Sequence, residues 1–95
     1  MSDAPADDPF VIMASAHIDL ANRHAGEHSS DLAAVAIMHA AARYNAFAGS
    51  APARTAEQLE EVRAELIDNQ VKLFREALEH HYRGYVAELG TRKTA

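Results

Sequence analysis

The pattern of hydrophobic and polar positions predicts three helices and almost no β-structure. The longest pattern runs from Thr55 to about Leu89, with apolar residues at steps of three and four, which is the spacing of one helix face. A helix over residues 56–89 is about 50 Å long at 1.5 Å per residue. Its apolar positions are Leu59, Val62, Leu66, Leu73, Phe74, Ala77, Leu78, Tyr85 and Leu89.

Two shorter helices are predicted ahead of the long one, over residues 9–25 and 30–48. Each predicted helix starts at residues that can satisfy or replace its first free backbone N–H groups. These start signals are Asp8 with Pro9, Ser29 or Ser30, and the capping-box pair Thr55 and Gln58. No run of alternating β-branched residues suggests a strand.

Glycines are expected to end all three helices, because glycine tolerates the left-handed backbone of a helix C-cap. The predicted ends are Gly26, Gly49 and Gly90. Residues 1–8 are expected to be a flexible N-terminus and residues 91–95 a flexible tail. The prediction is therefore a single three-helix domain over residues 9–90.

The difference in helix length predicts self-association. The first two helices are each about 26 Å long, about half the length of the third. Packed as a hairpin, they cover half of it. The simplest completion is a homodimer whose two long helices run antiparallel, giving a helical bundle in which one hairpin covers each half. The alternative is a monomer whose third helix breaks near residues 68–70 or at Gly84.

The second helix is apolar on two sides, which predicts burial on two sides. One face consists of Ala33, Ile37, Ala40, Tyr44, Phe47 and Ala48. The other side carries Leu32, Val35 and Met38 among the polar residues His39, Arg43 and Asn45. A hairpin partner on one side and a second copy on the other would satisfy this pattern.

Composition sets further limits. The chain is 48% hydrophobic but contains only three Phe, three Tyr and no Trp, so its core is thin and oligomerisation is favoured. A net charge of −5 with dispersed basic residues argues against nucleic acid and anionic membranes as partners.

The apolar run at residues 10–14 is too short for a signal core or a membrane span. With no cysteine either, we expect a soluble cytoplasmic protein.

Candidate chemistry is sparse. The serines and glycines form neither a nucleophile elbow nor a phosphate loop, and the histidine spacings match neither a di-iron bundle nor HExxH. His17, His24 and His81 lie within apolar stripes and could form a metal or acid–base site. Alternatively they are buried and hydrogen-bonded to Gln70, to tyrosine hydroxyls or to the backbone. We expect no catalytic residue and no cofactor, with a metal ion at these histidines as the alternative.

Two segments stand out by their sequence. They read I-D-L-A-N over residues 18–22 and A-A-R-Y-N-A-F over residues 41–47. Together they resemble a small bacterial helical family, domain of unknown function 3144, over residues 10–86. The resemblance implies an all-helical fold and no assigned activity. The family pattern has an acidic residue before the tyrosine near the end of the long helix, whereas Gly84 precedes Tyr85 here.

The resemblance directs attention to Asn22, Arg43, Tyr44 and Asn45. One interpretation is a polar cluster that binds a ligand or a partner, with Arg43 as the anion-binding group. The other is a hydrogen-bonded network that fixes the register between helices or between subunits.

The sequence therefore predicts an uncharacterised small all-α protein that acts as a non-enzymatic homodimeric interaction or accessory protein. The alternative is a small-ligand-binding or metal-binding helical bundle with inward-facing histidines. A further hypothesis is that the acidic start of the third helix, residues 57–65, binds a basic protein partner. The sequence does not indicate a substrate, the identity of a partner or a biological process.

Overall fold

The computed structural model describes residues 8–94, with side chains described as far as Arg92. Its elements are three α-helices in the order α1 (Pro9–Glu27), α2 (Ser30–Ser50) and α3 (Ala56–Thr94), and these residues contain no strand. The prediction of an all-α chain with two shorter helices and one long helix is confirmed. The chain forms two compact units, one ending at Ala48 and the other beginning at Gly49. Residues 1–7, predicted to be flexible, lie outside the described residues.

Side-chain caps start the first two helices as predicted. The Asp8 carboxylate accepts a hydrogen bond of 2.9 Å from the Phe10 backbone N–H, with Pro9 at the first helical position. Ser29 is the cap of α2, because its hydroxyl accepts a 3.1 Å bond from the Leu32 N–H. The chain needs only two residues, 28 and 29, between the two helices.

The start of α3 is capped by the predicted pair with one difference. The Thr55 hydroxyl accepts a 3.1 Å bond from the Gln58 N–H, as in a capping box. The Gln58 side-chain oxygen accepts from the Arg54 N–H at 2.7 Å, one residue earlier than that pattern predicts. Behind this cap, Ala53 and Leu59 are half-buried, and the Ala53 N–H donates to the Ser50 carbonyl at 3.1 Å.

Each helix extends beyond its predicted end. α1 continues one residue past Gly26, α2 one residue past Gly49, and α3 four residues past Gly90 into the predicted tail. None of the glycines has a positive φ, so none forms a left-handed cap. Two contacts span the helical turn around Gly90. Arg92 forms an ion pair of 3.5 Å with Glu88, and the Thr91 hydroxyl donates a 3.1 Å hydrogen bond to the Ala87 carbonyl. These contacts offset part of the roughly 1 kcal/mol cost of a helical glycine.

The long helix is continuous. It passes without a break through residues 68–70 and Gly84, where the monomeric alternative required a break. Its 39 residues span about 58 Å. Within the described residues, no helix combines the length and the apolar character that crossing a bilayer requires.

Burial within the chain is slight. Ala33 on α2, 7% exposed, is the one buried residue among those described. The half-buried positions of the first unit are Asp8, Val11, Ala21, Ala25 and Ile37, and those of the second are Gly49, Ser50, Ala53, Leu59 and Leu66. The expected burial of α2 on two sides is therefore not met within one chain.

Candidate functional site

The three candidate histidines are exposed. His17 and His24 lie on α1 and His81 lies on α3, which belongs to the other unit. The His17 Nδ1 is 2.7 Å from the Met13 carbonyl oxygen of its own helix. This differs from the expectation of inward-facing histidines, because the packed positions of α1 are on another side of the helix. Their apolar neighbours in the predicted stripe are also exposed: Phe10 by 74%, Met13 by 58% and Leu20 by 42%.

No metal site is assembled from the described residues. Nowhere among them do three His, Asp or Glu side chains come close enough to hold one ion. The adjacent rings of His80 and His81 meet edge to face, with centroids 5.0 Å apart and planes 72° apart. They line a shallow hollow on the surface of α3, together with Arg83, Gly84, Tyr85 and Glu88. All of these residues are on one helix, so the hollow lacks the converging walls of a ligand site.

The four residues of the resemblance are also on the surface. Asn22, Arg43, Tyr44 and Asn45 are exposed. The Tyr44 ring lies 5.8 Å from the Phe47 ring, centroid to centroid, at a tilt of 50°. The side chains of the other three make no hydrogen bond or ion pair with the described residues. Residues 43–45 are consecutive on a helix, so their side chains point about 100° apart and do not form one cluster. Their binding or register role stays a prediction.

Large hydrophobic side chains cover much of the described surface. Twenty of them are at least 40% exposed. Those on α1 and α2 are Phe10, Ile12, Met13, Ile18, Leu20, Leu32, Val35, Met38, Tyr44 and Phe47. Those on α3 are Val62, Ile67, Val71, Leu73, Phe74, Leu78, Tyr82, Tyr85, Val86 and Leu89. Large aliphatic and aromatic side chains are the ones that folded proteins most often bury, so this exposed set is the candidate site.

One side of α3 carries a regular strip that is apolar except at His81. Seven exposed residues follow one another at alternating steps of three and four, the spacing of the a and d positions of a coiled coil. We call this strip the α3 seam. Its members are Ala64, Ile67, Val71, Phe74, Leu78, His81 and Tyr85. The apolar positions singled out from the sequence mixed two faces of α3 and missed Ile67 and Val71. The heptad spacing was the signal that could have found them.

Charged groups flank one edge of the seam. Asp68 and Arg75 are one heptad apart and share that edge, whereas Gln70 and Ala77 share the other. The Arg75 Nε is 3.4 Å from the Glu79 Oε2, an ion pair that the spacing predicts. The Arg75 side chain is 77% exposed, so its remaining donors are available to another chain.

Comparison with known proteins gives a family. A sequence model described as a protein of unknown function (DUF3144) matches residues 10–86, the range that the resemblance indicates. No curated protein and no solved structure matches the chain. Because the match covers most of the 95 residues, the chain belongs to the DUF3144 family of proteins of unknown function.

Proposed function

We propose that this protein is a homodimer that acts as a non-enzymatic interaction or accessory protein in the cytoplasm. One observation carries the proposal: twenty large hydrophobic side chains are exposed in a single chain, whereas Ala33 alone is buried among the described residues. Apolar area left in water costs free energy, so a chain with this surface is stabilised by whatever covers it.

The exposed area is the size of a stable interface. Six of the twenty are aromatic and leave about 100 Å² each when half exposed, and the fourteen aliphatic ones leave about 45 Å² each, about 1,200 Å² in total. Covering this area on two copies removes about 2,400 Å² from water, which is within the range of obligate dimer interfaces. A small transient contact would leave most of it exposed.

A second copy fits this surface better than an unrelated protein does. The α3 seam is regular over about 33 Å, and a coiled-coil strip of this kind pairs readily with a strip of the same spacing. The chain itself supplies that strip. Homodimers with a two-fold axis are also the commonest oligomers, because one surface serves both sides of the interface.

The proposal also includes what the sequence predicts about cofactors and partners. The dimer needs no metal and no other cofactor, and it does not act on nucleic acid or membranes. Any surface that dimerisation leaves uncovered is available to an unidentified protein partner.

Native mass spectrometry of the untagged protein, with sedimentation velocity from about 0.1 to 100 μM, tests the proposal. We expect a species of twice the 10.3 kDa chain mass, without added mass from a ligand. Circular dichroism on the same samples reports whether the long helix is formed. A 10.3 kDa species that keeps its full helix content at micromolar concentration would refute the proposal.

A further inference from the structure

We infer that the α3 seam pairs antiparallel with the α3 seam of a second copy, about a two-fold axis between residues 72 and 73. The inference rests on the proposed homodimer with antiparallel long helices and adds the residues of the interface and their register. In an antiparallel coiled coil each a position lies against a d position of the other chain. With the axis between residues 72 and 73, the residue numbers of the two partners in each layer add up to about 145, as they do for 72 and 73.

The two inner layers of this register are wholly apolar. Moving outward from the axis on either side, the layers pair Val71 with Phe74, then Ile67 with Leu78, then Ala64 with His81 of the second copy. Val71 and Ala64 each face a larger residue, and the two residues of the Ile67 layer are similar in size. Both arrangements suit interdigitated packing. The side chains are open to this contact, since Ile67 is 50% exposed, Val71 59%, Phe74 54% and Leu78 41%.

The charges beside the seam select the same register. The residues that flank it at equivalent edge positions on the two chains are Asp68 of one copy and Arg75 of the other, and the two-fold axis repeats this contact. Arg75 keeps its 3.4 Å contact with Glu79, because a guanidinium has donors for two carboxylates. Both chains thus gain an opposite-charge pair at the interface edge.

The neighbouring antiparallel registers are worse. If one helix slides by one heptad so that the two-fold axis moves towards the C-termini, Arg75 lies against Arg75 of the second copy. A register in which the axis moves the other way places Asp68 against Asp68 and sets Leu78 against Glu60. In the inferred register Glu60 lies against Tyr85 instead, whose hydroxyl can donate to the carboxylate. Like charges in direct opposition destabilise the pairing, and a carboxylate facing a leucine loses solvation without a partner.

Charge along α3 also favours the antiparallel orientation. Residues 56–74 contain five acidic and two basic side chains, whereas residues 75–94 contain three acidic and four basic ones. A parallel pair places the two acidic halves side by side. An antiparallel pair places the acidic half of each copy against the more basic half of the other, and opposes the two helix dipoles.

Cysteine cross-linking tests the register directly, because the protein has no cysteine of its own. Ile67→Cys and Leu78→Cys are prepared separately, each is checked for dimerisation under reducing conditions, and both are oxidised alone and after mixing. We expect a covalent dimer in the mixture and at least tenfold less in either variant alone. Two copies of residue 67 lie about 16 Å apart along this antiparallel pair, which is beyond the reach of a disulfide. The pair Ala64→Cys and His81→Cys repeats the test at the next layer outward, where two copies of one residue lie about 26 Å apart along the pair.

A charge exchange gives a second readout that does not depend on oxidation. Asp68→Arg and Arg75→Asp each bring like charges together, so we expect each to raise the dissociation constant of the dimer about tenfold at low salt. The double variant restores the pairs with their signs exchanged and is expected to return within threefold of the native value. Lys72→Asp, on the outer side of α3, is the matched control and is expected to change the constant less than threefold.

The outcomes separate the two proposals. Dimers in which Ile67→Cys cross-links with itself, or in which the double charge variant is no better than the single ones, would overturn the register and leave the homodimer standing. A monomer at all concentrations would overturn both. Efficient cross-linking only in the mixed sample, together with charge rescue, would establish the antiparallel seam.

Discussion

Replacing Phe74 by alanine is the sharpest test of the apolar surface on α3. Phe74 is 54% exposed in the single chain, and the accessible area of a phenylalanine is about 200 Å². About 100 Å² per copy is therefore available for burial. At about 25 cal/mol per Å², and with part of the area retained by the alanine methyl group, the loss is about 2 kcal/mol per copy. Each dimer contains two such sites, so the dimer is weakened by about 4 kcal/mol.

This loss corresponds to a dissociation constant about a thousandfold higher, since 1.4 kcal/mol is a factor of ten. Sedimentation equilibrium or fluorescence anisotropy of a labelled chain measures that constant. Alanine is a better helix former than phenylalanine, so a lower affinity cannot be explained by a weaker helix. Glu76→Ala is the matched control, because Glu76 is exposed two residues away on a different face of α3. We expect it to leave the constant within threefold of the native value.

One result would refute the predicted role of Phe74 in the dimer. If Phe74→Ala forms dimers as tightly as the native chain, with the same helix content, then Phe74 is not covered in the dimer. The exposed apolar area of α3 would then not be what the dimer covers, even at the centre of the seam, where the largest effect is expected.

Three further substitutions test local features. Gly90→Ala should raise the free energy of unfolding by about 0.5–1 kcal/mol in thermal or urea denaturation, because the position is helical and an added Cβ meets nothing within 4 Å; a loss of stability would show that the helix ends earlier. Thr55→Ala should lower stability in urea by about 1 kcal/mol through loss of the 3.1 Å cap to Gln58, and an unchanged midpoint would contradict that cap. His17→Ala should leave the melting temperature within about 2 °C of the native value with or without a chelator, since the ring is exposed; a large drop, or a drop caused by the chelator alone, would point to a buried or metal-bound ring.

The helices and their starts were predictable because local chemistry decides them. Asp8, Ser29 and Thr55 each satisfy a free backbone N–H in the manner that their position in the sequence indicates. The helix ends were less predictable. Glycine permits a left-handed cap without requiring one, and at Gly90 the surrounding side chains continue the helix instead.

The candidate site was less accessible to sequence reasoning. Periodicity shows that a helix has an apolar side, but it does not show which of two apolar sides is packed within the chain. The stripe with His17 and His24 was therefore assigned to the interior, whereas the half-buried positions on α1 are on a different side of the helix. On α3 the same ambiguity merged two faces, and the heptad spacing of Ile67 and Val71 is what separates the α3 seam from the rest.

The length of α3 has a consequence for the life of the protein in the cell. Most helical stability in proteins comes from packing of an apolar face, and the face of this 39-residue helix has little to pack on within its own chain. In the proposed homodimer, folding of α3 is coupled to association, so the folded fraction would depend on how many copies the cell contains. Newly made chains at low abundance would then expose an open helix to proteases, and accumulated chains would protect one another. Turnover would therefore fall as expression rises, which gives the protein a concentration threshold without any dedicated regulator.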